Sequence, residues 1–153
     1  MKKCLIIGYG NTLRGDDGLG PYIVESLRDT INNMGENIKL MSLPQLDVVL
    51  SSIISREDIV IFVDARTDNT DELVSINKVR PALNLSILNY TSHAISLPVL
   101  LRIAHDWYGT EPLSYLVMPK GFDFSFSSTI SEKALKSADL AKNKIIEILQ
   151  SFS

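Results

Sequence analysis

A glycine-rich turn that holds two adjacent acids constrains the fold of this chain more than any other stretch. Five glycines lie in the thirteen residues from Gly8 to Gly20, between an apolar run at 4–7 and an amphipathic segment that begins near Pro21. This order predicts a strand, a tight turn and a helix, with main chain passing close to a neighbour. Asp16 and Asp17 lie inside the turn. Such turns usually bind phosphates, which a pair of acids would repel.

A dinucleotide site fits the glycine-rich turn poorly. The third glycine of the dinucleotide fingerprint would fall at position 13, which is Leu13. The acid expected at the end of the second strand is also missing, because that strand closes with Met-Ser-Leu at 41–43. Helix capping by one Asp would explain only one of the two acids. The natural complement of the pair is a cation, or a basic or metal-bearing partner.

Length and composition narrow the class of protein. The chain has 153 residues, 45% of them apolar, which predicts a single domain over 1–153 with a sizeable core. A net charge of −3 argues against nucleic acid as a partner. The single cysteine, Cys4, excludes an internal disulfide and is expected to be buried. No signal peptide or membrane span is evident, so we expect a cytoplasmic protein, and we expect a monomer.

Strand-like and helix-like segments alternate along the rest of the chain. The run Ile59–Val63 is typical of a strand that is covered on both faces. The alternation predicts a three-layer α/β/α fold with a mostly parallel sheet of about five strands and helices on both faces. Tyr108 and Leu135 are among the residues expected to face the core. The predicted strands are 3–8, 38–43, 59–63, 73–79, 85–90 and 113–118. Four helices are predicted: one over 21–33, one from Pro44, one capped by Ser96 with Pro98 in its first turn, and one after a capping box at 129–132.

Three potential metal ligands follow predicted strands. Asp17 lies in the turn after the first strand, Asp64 ends the Ile59–Val63 strand, and His93 follows the predicted strand before the third helix. Parallel strands bring their carboxyl ends to one edge of a sheet, where ligands bind in such folds. Each residue alone also has an ordinary structural explanation, such as a turn cap or a hydrogen-bonded histidine. Together, two carboxylates and an imidazole suit a divalent transition ion such as nickel or zinc.

The motif Gly-x-Gly-Asn-x-Leu-x-x-Asp-Asp-Gly-x-Gly at 8–20 resembles the N-terminal motif of the hydrogenase maturation proteases. Further similarity lies in Val-Ile-Phe-Val-Asp-Ala at 60–65, in Thr-Ser-His at 91–93 before a Leu-rich helix, and in 113–118 before the last helix. The resemblance covers essentially the whole chain in the same order. One departure is Leu-Pro-Gln-Leu-Asp at 43–47, where many relatives carry Gly-Gly-Thr. This departure leaves open which precursor is cleaved.

The resemblance implies an endopeptidase that removes the C-terminal extension from the large-subunit precursor of a [NiFe] hydrogenase after nickel insertion. It assigns metal contact and catalysis to Asp17, Asp64 and His93. The nickel would be that of the precursor, and no organic cofactor is implied. One alternative is a non-proteolytic chaperone of the same fold that binds metal or hydrogenase. A nucleotide-dependent enzyme is a weaker alternative.

Other residues have open interpretations. Asp16 is expected to cap the helix or to brace the turn. Arg66 is expected to be a solvated turn residue or to pair with a carboxylate or a substrate C-terminus, and His105 to pack at a surface or to touch substrate. The aromatic residues of the loop at 121–128 are expected to contact a partner or to pack partly in the core; they are Phe122, Phe124 and Phe126.

Overall fold

A five-stranded sheet is the centre of the computed structural model, which describes residues 1–84 and 95–152. The strand order is β2-β1-β3-β5-β4, with β4 antiparallel to β5 and the other neighbours parallel. This architecture confirms the predicted α/β class with a mostly parallel sheet. The strands are β1 (Cys4–Tyr9), β2 (Ile38–Leu43), β3 (Ile59–Val63), β4 (Val74–Val79) and β5 (Leu113–Pro119).

Alternate residues of the central strands enter two separate cores, one on each face of the sheet. In β1, Cys4 and Ile6 join one core, whereas Leu5 and Ile7 join the other. β3 divides in the same way and is buried at every position, as its continuous apolar run predicts. The helices that cover the two faces are α1 (Leu19–Ser26), α2 (Arg28–Asn32), α3 (Leu50–Ile54), α4 (Leu97–Tyr108) and α5 (Glu132–Gln150).

The first two helical segments differ from the prediction. The helix expected over 21–33 starts at Leu19 and is divided at Leu27, whose N–H is shared between the carbonyls of Ile23 and Val24. The second helix does not begin at Pro44. The Asp47 carboxylate accepts the Val49 N–H at 2.9 Å, and this local turn delays the regular helix until Leu50.

Two side chains expected in the core are exposed, and one predicted cap is wrong. Tyr108 is 47% exposed and Leu135 is 36% exposed. The capping box predicted at 129–132 would make Thr129 the N-cap of the last helix. The N-cap of α5 is instead Ser131, whose hydroxyl accepts the Ala134 N–H at 3.3 Å, so the helix begins two residues later. The predicted strand 85–90 lies outside the described residues. No helix in the described parts of the chain has both the length and the apolarity needed to span a bilayer.

Candidate active site

The candidate site lies at the carboxyl ends of the neighbouring strands β1 and β3. From β1 the chain continues to β2 on one side of this pair, and from β3 it continues to β4 on the other side. β1 pairs with β2 on one side and with β3 on the other, which makes this pair the topological switch point of the sheet. Gly8 of β1 is in register with Val63 of β3, so Tyr9 and Asp64 come next at the same edge. Open α/β sheets bind ligands in this crevice.

Close packing of glycines seats the turn on the ends of these strands. A side chain at Gly20 would collide with the main-chain oxygens of Val63 and Tyr9, and one at Gly8 would collide with Gly20 itself. The start of α1 therefore lies directly against the ends of β1 and β3. The turn then forms a short 3-10 helix, Gly15–Gly18, which carries both acids of the motif.

Asp17 is held at the rim by the turn that precedes it. Its carboxylate accepts the Asn11 N–H at 2.7 Å, and the Asn11 side chain in turn accepts the Leu13 N–H at 2.9 Å. The Asp17 side chain is half-buried. This short hydrogen-bond chain fixes the carboxylate near the end of β3.

Asp64 lies close enough to Asp17 for the two carboxylates to repel. Burial raises the pKa of Asp64 and the negative charge of Asp17 raises it further, to about 6, although hydrogen bonds from the Tyr9 hydroxyl and the Ala65 N–H oppose the shift. Within residues 1–84 and 95–152, no Lys or Arg forms an ion pair with either carboxylate. The pair is thus a site of concentrated negative charge that no Lys or Arg in the described part of the chain neutralises through an ion pair.

Asp16, the other acid of the turn, is fully buried and joins two parts of the chain. Its carboxylate accepts the N–H groups of Phe122, Asp123 and Ser131 and the Ser131 hydroxyl, at 2.7 to 2.9 Å. Burial alone raises the pKa of Asp16, but these hydrogen bonds outweigh it and leave the pKa below its usual value. The expectation that Asp16 braces the turn is therefore confirmed.

The third predicted ligand, His93, lies outside the described residues. Among the residues that are described, no cluster of three or more His, Cys, Asp or Glu is arranged to hold a metal ion. The sequence-based prediction of a three-residue metal set thus stays a prediction. The structure brings together two of its members, Asp17 and Asp64.

Several other candidates do not belong to the site. His105 lines a cleft of about 480 Å³ with Arg80 and Arg102, at the edge of the sheet opposite the acids. Arg66 is 7% exposed and binds the Asp68 carboxylate and the Glu72 carbonyl, so the solvated-turn interpretation is wrong and pairing with a carboxylate is confirmed. Cys4 is buried at the far end of β1, and burial raises the pKa of its thiol to about 12.

The aromatic loop has one side chain packed against the core and two exposed, and contact with a partner stays a prediction. Phe124 packs against a core, whereas Phe122 is 39% exposed and Phe126 is 87% exposed. Hydrogen bonds from Gly15 to Ser127 at 2.8 Å and from Ser127 to Leu13 at 3.0 Å hold this loop against the glycine-rich turn. Exposed aromatic side chains therefore lie on a loop that the acidic turn supports.

Tyr9 is a site residue that sequence reasoning missed. Its hydroxyl donates to the Asp64 carboxylate, and both burial and that neighbouring charge raise the pKa of Tyr9. The position was predictable in principle, because the residue after Gly8 in β1 lies beside the residue after Val63 in β3 once the two strands are paired. The sequence alone does not give the register between β1 and β3, so the contact between Tyr9 and Asp64 was not predicted.

No family model matches the chain. A protein of Methanocaldococcus jannaschii, named as a candidate hydrogenase maturation protease, is 28% identical over an alignment of 157 residues, which covers 97% of this chain and 89% of that protein. Among solved structures, the E. coli hydrogenase maturating endopeptidase HybD has a TM-score of 0.79 at 18% identity and covers 99% of this chain and 94% of its own.

A second solved structure agrees. The [NiFe] hydrogenase maturation protease HycI of Thermococcus kodakarensis has a TM-score of 0.72 at 22% identity, over 97% of this chain and 93% of its own. At these identities the structural likeness establishes the fold, and the sequence match extends over the same length. The resemblance carried by the motif at 8–20 is thereby confirmed: along nearly its whole length, this chain is similar to proteins named as hydrogenase maturation proteases.

Proposed function

We propose that the chain is an endopeptidase that removes the C-terminal extension from a [NiFe] hydrogenase large-subunit precursor after nickel has been inserted. The relatives are named as maturation proteases and endopeptidases, and the similarity runs through nearly the whole chain. The cytoplasmic location and the monomeric state expected from the sequence stay predictions.

The observation that carries the proposal is the pair of facing acids at the switch point. Asp17 and Asp64 repel each other, and the pKa of Asp64 is about 6 because of burial and that repulsion. A divalent cation brought by the substrate would remove the repulsion and bind both carboxylates. We propose His93 as the third ligand, in keeping with the mixed oxygen and nitrogen sets that nickel and zinc accept.

The same arrangement suits peptide hydrolysis. An ion held between the acids and the precursor would bring the scissile bond to the crevice and polarise its carbonyl. As an alternative to a water activated by the ion, one of the two acids acts as general base and takes the proton of the attacking water, a role that requires a carboxylate the ion does not bind. The Tyr9 hydroxyl, which donates to Asp64, orients that carboxylate.

The direct test is incubation of the chain with nickel-loaded and with nickel-free large-subunit precursor, followed by mass spectrometry of the precursor. We expect loss of the C-terminal extension only from the nickel-loaded form. The His93→Ala variant should lose processing while keeping its circular dichroism spectrum and melting temperature. Normal cleavage by that variant would contradict the assignment of His93.

The same experiment separates the chaperone alternative. A non-proteolytic chaperone would bind the nickel-loaded precursor tightly and leave its mass unchanged. Cleavage of nickel-free precursor at the same rate would contradict the nickel-dependent part of the proposal and leave the peptidase part intact.

A further inference from the structure

A cleft of about 290 Å³ lies beside the candidate active site, between the glycine-rich turn and the end of β2. Its lining is formed by residues 10–13, Pro21 and residues 42–44. None of these residues has a charged side chain. The cleft therefore suits an uncharged ligand segment, in contrast to the acidic pair next to it.

Two residues that line the cleft also contact Asp17. Asn11 lines it and, through its main-chain N–H, holds the Asp17 carboxylate at 2.7 Å. Gly10, also in the lining, lies so close to Asp17 that a side chain there would strike the Asp17 carbonyl. A chain segment in the cleft would thus lie next to the reaction site.

The end of β2 offers main-chain hydrogen bonds to such a segment. The Leu43 carbonyl accepts the Gly10 N–H at 3.1 Å and so faces β1. Because main-chain groups alternate in direction along a strand, the N–H and C=O of Ser42 face away from β1. β2 is the last strand on its side of the sheet, and no described strand lies along its outer edge.

An exposed apolar rim extends the cleft. Leu13 is 54% exposed and Phe126 is 87% exposed, and the Ser127 N–H donates to the Leu13 carbonyl at 3.0 Å. The two apolar residues therefore lie on neighbouring segments of main chain. Exposed apolar groups beside a cleft are typical of interaction surfaces.

Building on the proposed function, we propose that the precursor segment next to the scissile bond binds this cleft in an extended conformation. The segment adds a short strand at Ser42 through main-chain hydrogen bonds, and its uncharged side chains contact Leu13 and Phe126. The cleft beside β2 thereby selects for an uncharged polypeptide segment, while Asp17 and Asp64 act on the ion and on the scissile peptide bond.

The test compares the cleavage kinetics of nickel-loaded precursor by the wild type, by Leu13→Asp and by Leu83→Asp. Leu83 is 92% exposed and lines the cleft at the opposite edge of the sheet, so it is a matched control. We expect Leu13→Asp to raise KM about tenfold, equivalent to about 1.4 kcal/mol, with kcat retained. Leu83→Asp should cleave like the wild type.

A second pair of variants tests the strand addition. Ser42→Pro removes the outward N–H without touching the bond between Leu43 and Gly10, whereas Ser42→Ala keeps that N–H. We expect a larger rise in KM for Ser42→Pro than for Ser42→Ala, with circular dichroism confirming that both fold. Unchanged KM in both Leu13→Asp and Ser42→Pro would overturn the docking proposal alone, whereas a wild type that cleaves no precursor would overturn the proposed function with it.

Discussion

Asp64 lies half-buried beside a second carboxylate, and this position disfavours its charged form in the folded protein. With a folded pKa of about 6 against an ordinary value of 3.8, Asp64 binds more protons in the folded state than in the unfolded state between those pH values. The free energy of unfolding therefore decreases as pH rises from about 4 to 6 on account of this residue. Keeping an ionised carboxylate here costs stability, as expected for a functional group.

Replacing Asp64 with Asn should consequently stabilise the fold and abolish processing. Asn removes the charge while its side-chain oxygen can still accept the Tyr9 hydroxyl. We expect the free energy of unfolding at pH 7 to rise by on the order of 2 kcal/mol, measured by urea titration, with the difference vanishing below about pH 4. A variant that is less stable than the wild type at pH 7 would contradict the description of this site.

At the scale of single residues, the sequence was sufficient to predict the location of side chains that follow directly from their position at the end of a strand. Asp17 and Asp64 were identified because acids at the ends of parallel strands meet at one edge. The pairing of Arg66 with a carboxylate was among its expected roles, but its burial was not predictable, because that depends on how Asp68 and the Glu72 carbonyl are placed around it. Tyr9 was missed because its partner, Asp64, follows a different strand.

At the scale of elements, Asp16 joins the 3-10 helix, the 121–128 loop and the start of α5. Its carboxylate accepts three main-chain N–H groups and one hydroxyl. Asp16→Asn replaces one acceptor oxygen with an N–H donor at a fully buried position, so at least one main-chain N–H loses its acceptor. We expect a loss of about 2–4 kcal/mol in the free energy of unfolding at pH 7, by urea titration.

The stabilisation that Asp16 provides should depend on pH. Hydrogen bonding lowers the folded pKa of Asp16, so its contribution to stability is complete above its ordinary pKa and is lost as pH falls through the folded value. The difference between wild type and Asp16→Asn should be constant from pH 5 to 8 and narrow below about pH 4. Asp29→Asn, at an exposed position of α2, is the control and should change stability by less than about 0.5 kcal/mol.

Helix boundaries were less predictable than the elements themselves. The sequence at 129–132 fits a capping box, yet Ser131 caps α5, because Asp16 binds the Ser131 N–H and hydroxyl from a distant part of the chain. The second helix starts late because Asp47 forms its own local turn. Competing side-chain hydrogen bonds of this kind are decided by tertiary contacts.

At the scale of the whole molecule, the alternation of strand and helix patterns was sufficient to predict the layered fold. The antiparallel direction of β4 was not evident, although the polar turn at 66–71 contains no helix to carry a parallel crossover. After β3, the chain instead crosses the carboxyl end of β5 and returns antiparallel to it as the edge strand β4. The switch point between β1 and β3 follows from strand order, which periodicity alone does not give.

Global stability should also report cation binding by the acid pair. Ni²⁺ held between Asp17 and Asp64 relieves their repulsion only in the folded state, so at a hundredfold excess over Kd it should stabilise the fold by about 2.7 kcal/mol. The rise in melting temperature at pH 7 should largely disappear at pH 4.5, where protons occupy Asp64. Asp17→Asn and Asp64→Asn should each reduce the rise, whereas Glu111→Gln, at the opposite edge, should keep it. An undiminished rise in the Asp17→Asn, Asp64→Asn double variant would mean that nickel binds elsewhere, and the acids would then lack the role in metal recognition that the proposed function gives them.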